Sequence, residues 1–223
     1  MCKDRGVVFI DNNTVRHCEC IQRRKVERLF KASKITEEFQ KINFTSFETE
    51  DRPEIVLESK ILATEYFKAF DRVKHTRKNS LAILGQPGAG KTHLLIAVAN
   101  NLIRRKQQNV LYFPYREGFD EIKDDLDQAE AKMQQMKEVD VLFIDDLFKR
   151  GPTDYELKQM YSVINARYLN HKPILVSSEW YVDDLLEIDE ALGSRIFQMV
   201  SDYYREIKGD KWKLNYRLAS AAN

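Results

Sequence analysis

The stretch Leu81-Ala82-Ile83-Leu84-Gly85-Gln86-Pro87-Gly88-Ala89-Gly90-Lys91-Thr92 decides the fold. Leu81 to Leu84 is a short apolar run that reads as a buried strand ending in a glycine loop. Thr92 to Lys106 follows as a helix, with Leu95, Val98, Ala99, Leu102 and Ile103 on one face. Gly85 to Thr92 fits G-x-x-x-x-G-K-[ST] completely, between a strand and a helix as that pattern requires. Its glycines let backbone N–H groups turn inward around phosphate oxygens without side chains in the way. The helix N-terminus adds roughly half a positive charge aimed at the same anion. In such a loop Lys91 reaches the β- and γ-phosphates and the Thr92 hydroxyl ligates Mg²⁺. A glycine turn before a helix, with no ligand, is the plainer alternative.

Outward from this loop, apolar segments alternate between strand and helix. Pro53 stands where a helix begins, and Ile55, Leu62, Tyr66, Ala69, Phe70 and Val73 recur at helical spacing from Glu54 to Lys74. Asn109 to Phe113 reads as a strand ended by Pro114, and Glu117 to Lys137 as one long acidic helix. Val141 to Ile144 reads as a strand covered on both faces. Leu157, Met160, Tyr161, Ile164 and Tyr168 mark a helix, Ile174 to Val176 a strand, Leu185 to Met199 a helix and Tyr203 to Ile207 a last strand. The alternation predicts an α/β domain with a parallel sheet between helices.

The second chemical signal is Val141-Leu142-Phe143-Ile144-Asp145-Asp146. It carries two carboxylates to the C-terminal edge of the sheet, where open α/β sheets bind ligands. Asp145 is placed to hold the Mg²⁺ shell and Asp146 to orient or deprotonate an attacking water. An Asp that caps a helix after a strand is the alternative.

Composition bounds the function classes. The 223 residues suffice for one α/β domain and a short appendage, and hydrophobic (43%) and charged (32%) fractions are those of an ordinary globular chain. A net charge of +1 confines any nucleic-acid site to a local patch. Residues 1–42 carry ten Lys/Arg against six Asp/Glu, while Glu117 to Asp140 carries nine acids against three lysines, which reads as a solvated helix face. No apolar run approaches the roughly 18 residues of a membrane span, and the polar N-terminus lacks a signal-peptide core. The three cysteines, Cys2, Cys18 and Cys20, all lie near the N-terminus, an odd set that argues against a disulfide framework and for a cytoplasmic protein.

Together the two motifs resemble an AAA+ P-loop ATPase, and the finer pattern resembles the DnaC/DnaI-type replicative helicase loaders and the related IstB-like transposition helpers. The resemblance covers roughly residues 40 to 217. It rests also on the Thr92-His93-Leu94 continuation, Asn165-Ala166-Arg167-Tyr168, Lys172-Pro173-Ile174-Leu175-Val176-Ser177-Ser178 and Leu192-Gly193-Ser194-Arg195-Ile196. It implies a parallel five-stranded sheet flanked by helices, without a full C-terminal helical lid, over residues 51–223, preceded by a short basic segment, 1–50. It implies ATP and Mg²⁺ held by Gly85, Gln86, Pro87, Gly88, Ala89, Gly90, Lys91, Thr92 and His93, with Arg217 as a terminal nucleotide-sensing arginine. Ser178 takes the sensor-1 position, with N-capping at a strand end as the alternative. Glu179 departs from the family pattern by placing a carboxylate where Asn is common. Arg195 takes the arginine-finger position, acting across a subunit boundary, with Arg167 second; a surface arginine paired to an acid is the alternative.

The implied partners are a DnaB-type replicative helicase, single-stranded DNA and further copies of the chain, with no membrane. An IstB-like helper, or a nucleotide-gated adaptor with little hydrolysis, are the alternatives. Phe148, Lys149 and Arg150 offer a ring and two cations for single-stranded DNA, whereas Tyr112, Phe113 and Tyr115 read as core and strand edge. Cys18-Glu19-Cys20 resembles the closing half of the loaders' zinc-binding segment. Cys2, Cys18 and Cys20, with His17, are its candidate Zn²⁺ ligands, and the rest of that module would lie before Met1.

Overall fold

Alternation of side chains along five short strands builds the domain around a central parallel sheet. The computed structural model describes residues 6–10 and 14–219. A small antiparallel hairpin, β1 (Val7–Phe9) and β2 (Val15–His17), precedes α1 (Glu19–Ser33) and α2 (Glu37–Gln40). The chain continues through α3 (Glu54–Val73), β3 (Leu81–Gly85), α4 (Lys91–Lys106), β4 (Val110–Pro114), α5 (Tyr115–Asp124), α6 (Leu126–Glu138) and β5 (Val141–Asp145). It ends with α7 (Asp154–Leu169), β6 (Ile174–Ser178), α8 (Val182–Ile188), α9 (Glu190–Val200), β7 (Tyr204–Ile207) and two one-turn helices, α10 (Lys211–Leu214) and α11 (Tyr216–Ala219).

Strands β4-β5-β6-β3-β7 pair in that order, all parallel. Successive residues of a strand face opposite sides. Leu81, Ile83, Tyr112, Phe143 and Leu175 therefore pack on one face with side chains of α1, α3 and α4. Ala82, Leu84, Leu111, Leu142 and Val176 pack on the other with α5 to α9. Tyr112, Phe113 and Tyr115 are core residues, as expected.

Two expectations change. The acidic stretch is two helices, because Asp125 leaves helical geometry (φ −138, ψ 82) and its side chain accepts from Gln128 N. The helix expected over Leu185 to Met199 likewise breaks at Asp189, which accepts from Leu192 N at 2.7 Å. In both cases a short carboxylate captures backbone donors and starts a new helix rather than continuing the old one. Packing also runs across residue 50. Phe30, Ile35 and Phe47 are buried in the core face that also holds α3 and α4. The buried Asn100 amide on α4 donates to the carbonyls of Phe39 and Ile42, each at 2.8 Å.

Arg167 is fully buried rather than available to a neighbouring subunit. Nη1 donates to the carbonyls of Met136 and Val139, and Nη2 to those of Asp140 and Pro173 at 3.2 and 2.6 Å. The guanidinium thus ties the ends of α6 and α7 to the starts of β5 and β6. Burial lowers its pKa to about 9, still above neutral pH, so the cation is retained. Arg167→Met should lower the unfolding free energy by at least about 3 kcal/mol, since stranded interior carbonyls cost about 1–3 kcal/mol each. Equilibrium urea denaturation measures this; a loss below about 1 kcal/mol would mean the carbonyls find other donors.

Candidate nucleotide-binding site

The floor and one wall of the candidate cleft arise where strands β3, β5 and β6 end. After β3 the loop passes through left-handed backbone at Gly85 (φ +112), Gly88 (φ +74) and Gly90 (φ +94), conformations that glycine adopts without steric cost. Close neighbours reinforce this. A Cβ on Gly85 would lie 2.3 Å from the Ile207 carbonyl oxygen, and one on Gly88 would lie 2.0 Å from Asn215 Oδ1. The Lys91 side chain lies back over the loop, its Nζ donating to the Gly85 and Gln86 carbonyls at 2.6 and 3.0 Å. Burial lowers the Lys91 pKa, opposed by the carboxylates of Asp146, Glu179 and Asp145.

Asp145 is a buried carboxylate that collects three hydroxyl donors. Thr92 Oγ1 donates to Oδ1 at 2.8 Å, Ser177 donates to the same oxygen, and Tyr112 donates to Oδ2 at 3.0 Å. Burial raises the Asp145 pKa, and the Ser177 and Thr92 bonds oppose that rise. Burial and Asp145 together push the Tyr112 phenol upward, so it stays a donor. Asp146 follows with φ +55; its N–H donates to Ser177 Oγ at 2.8 Å and its carboxylate pairs with Lys149.

The cleft has a volume of about 340 Å³. Pro87, Gly88, Gly90, Lys91 and Thr92 line its floor, Asp146, Lys149 and Glu179 one wall, and Ser46, Phe47, Glu48, Arg52, Tyr216 and Arg217 the other. The second wall joins the segment between α2 and α3 to α11. Arg52 lies between the rings of Phe47 and Tyr216, 5.9 and 5.6 Å from their centroids, and donates to the Leu214 carbonyl. The Tyr216 N–H donates to the Gly88 carbonyl at 3.0 Å and its hydroxyl to Glu48. His93 bonds Ser46 Oγ at 3.1 Å and meets Phe47 edge-on, so it anchors this wall; burial lowers its pKa and favours the neutral ring.

A nucleotide with Mg²⁺ fits this donor set. The left-handed glycines turn backbone amides into an anion nest, and Thr92 and Asp145 already share one hydrogen bond where a divalent ion takes oxygen ligands. Arg217 reaches the same cleft from α11. Ser178 does not: its hydroxyl donates to the Leu147 carbonyl at 2.7 Å, and Ser177, on the opposite face of β6, meets the Asp145 carboxylate and the Asp146 N–H instead. Strand alternation could have signalled that difference only with the strand order known. Arg195 lies outside the cleft on α9, its Nε donating to Asn165 Oδ1 at 3.0 Å and its guanidinium near the rings of Tyr161 and Tyr168. Phe148 is fully buried against Tyr115, so it offers no stacking face to DNA. Ser177, Tyr112, Phe47, Arg52 and Tyr216 also belong to the site, and no local pattern marks them for it. Cys2 lies outside the described residues, Cys18 and Cys20 are half-buried, and among the described residues no group of three or more His, Cys, Asp or Glu is arranged for a metal ion; nothing here supports zinc.

The sheet order, the glycine loop and the paired carboxylates define an AAA+ P-loop ATPase domain. A family model described as the bacterial DnaA ATPase domain matches residues 58–201, and the chain belongs to that family. It is 51% identical over 208 residues to the uncharacterized protein YqaM of Bacillus subtilis (strain 168), covering 91% of this chain and 66% of YqaM. It is 49% identical over 225 residues to the phage-like element PBSX protein XkdC of the same organism, covering 97% of this chain and 85% of XkdC. Among solved structures, the DnaC helicase loader superposes with a TM-score of 0.66 at 20% identity, over 78% of this chain and 100% of that one, and so shares the fold. Among the described residues no helix is long and apolar enough to cross a membrane.

The two loop glycines make a differential prediction. Gly85→Ala should lower the melting temperature by several degrees, because its Cβ meets backbone that cannot move. Gly88→Ala carries left-handed strain too but meets only the Asn215 amide, a side chain that can swing away, and should lower the melting temperature less than Gly85→Ala. Equal melting temperatures in differential scanning calorimetry would contradict the close approach at Gly85.

Proposed function

We propose that this chain is the ATPase of a replicative helicase loader, engaging a DnaB-type helicase and single-stranded DNA. The observation that carries the reading is a division of parts: a full phosphate and carboxylate set in one cleft, and an arginine held ready on another face. Lys91 would leave the loop carbonyls for the β- and γ-phosphates, and Thr92 and Asp145 would hold Mg²⁺. The ion neutralises charge on the phosphates when bound. Asp146 would orient the attacking water and accept its proton. Arg217 and the Arg52–Tyr216 wall would close over the remainder of the nucleotide.

Arg195 would complete the site of a neighbouring copy. Its hydrogen bond to Asn165 and its place between two tyrosine rings reduce the freedom it must lose on docking. An arginine supplied in trans is worth roughly 10³ to 10⁵ in rate. The similarity to the DnaC loader's fold supports the helicase as partner, and the similarity to a protein of a phage-like element supports a phage-borne setting. One observation favours a second reading, a nucleotide-gated adaptor with slow turnover: Lys149 ties up the candidate base Asp146.

Arg195→Ala should leave ATP affinity within about twofold and cut oligomer-dependent hydrolysis by at least about tenfold; unchanged activity would remove the finger assignment. Light scattering behind size exclusion, with the cognate helicase and with or without ATP, tests the partner. A nucleotide-dependent complex supports the loader; ATP binding without a complex under either condition counts against it.

A further inference from the structure

We propose that Lys149 reads the γ-phosphate of ATP, exchanging Asp146 and Glu179 for it when a nucleoside triphosphate binds. This rests on the ATP-site reading of the cleft. Ser178, the polar residue expected to face the terminal phosphate, is turned away and spent on the Leu147 carbonyl. Glu179 follows it and lines the cleft. A carboxylate there opposes phosphate binding unless a cation accompanies it, and Lys149 is that cation. Its Nζ lies 2.5 Å from Asp146 Oδ2 and 3.8 Å from Glu179 Oε1.

The backbone that carries Lys149 is fixed from several sides. Leu147 N donates to the Ser177 carbonyl at 2.8 Å, and the Trp180 indole donates to the Phe148 carbonyl at 2.7 Å. Phe148 is buried, and Asp146, Phe148 and Arg150 hold left-handed φ values of 55°, 59° and 67°. Non-glycine residues keep such conformations only where their surroundings over-determine them, and they cluster at switch regions. The attachment point is therefore rigid while the four-carbon stem is flexible. Lys149, Asp146 and Glu179 are each about a third exposed, so their ion pairs are exchangeable.

Charge gives the exchange its direction. Of the charged side chains that line the cleft, Arg52, Lys91, Lys149 and Arg217 stand against Glu48, Asp146 and Glu179, a balance that favours an added polyphosphate. A γ-phosphate with multiple charged oxygens is the stronger acceptor, and Lys149 moving to it frees Asp146 to bind water. ADP lacks that group, and Lys149 stays on Asp146. One lysine thus couples discrimination of triphosphate from diphosphate to release of the candidate base.

Isothermal titration with AMPPNP and with ADP, both with Mg²⁺, tests this on wild type, Lys149→Met, Lys149→Arg and Lys149→Met combined with Glu179→Gln. Lys149→Met should weaken AMPPNP at least about tenfold and leave ADP within about twofold. Lys149→Arg should retain most of the discrimination, and the double variant should recover part of the AMPPNP affinity by removing the unpaired carboxylate. Equal losses for both nucleotides, or no loss for either, overturn the proposal. Intact AMPPNP affinity with faster ATP turnover also overturns it, leaving Lys149 as a mere restraint on Asp146. If wild type binds neither nucleotide, the ATP-site reading itself fails.

Discussion

Burying the Asp145 carboxylate at the end of β5 obliges the fold to supply donors from three places at once. Thr92 comes from α4, Tyr112 from β4 and Ser177 from β6, and each donates a hydroxyl hydrogen to it. A buried charge without such partners costs several kcal/mol. The strand order provides them: β6 lies between β3 and β5, so the glycine loop and the carboxylates stand on either side of one strand, close enough for Thr92 to reach Asp145. Ser177 stands in that gap and also receives the Asp146 N–H. The phosphate loop, the metal-side carboxylate and the candidate base are thereby set in one frame.

The loop after β5 extends the frame outward. Its left-handed residues are held by Phe148 in the core and by bonds from Ser178 and Trp180. Residues that the amino-acid pattern assigns to DNA contact or phosphate sensing thus become structural here, and the charge they support, Lys149, faces the cleft. Arg167 shows the same logic farther away. Its guanidinium is the shared donor for the ends of four elements, so its conspicuous place in a family-like segment reflects packing.

The opposite wall of the cleft is built from residues far apart in the chain. Ser46, Phe47 and Arg52 meet Tyr216 and Arg217, with Asn100 pinning the strap before Phe47 and the Tyr216 N–H closing onto Gly88. The segment between α2 and α3 is thus coupled to α11 through the cleft they cover. A ligand held between the two walls would therefore link its affinity to the order of that segment and of α11.

The amino-acid sequence by itself determined the parts whose physics is local. Glycines at Gly85, Gly88 and Gly90 dictate an anion-cradling turn, apolar runs dictate strands and helices, and Lys91, Thr92, Asp145 and Asp146 stand at spacings set by single elements. It left undetermined whatever depends on two distant elements meeting. Asp125 and Asp189 break helices that periodicity alone continues, because capping competes with propagation over a few residues. Ser177 rather than Ser178 faces the carboxylates because the register of β6 between β3 and β5 selects one face. Lys149 and Glu179 become partners because two loops are tied together, and Arg52 joins Tyr216 because the segment before α3 and helix α11 fold over the same cleft. These were decided only in tertiary structure, since hydrogen bonds and charge pairs between separate elements depend on strand order and register, which no local stretch encodes.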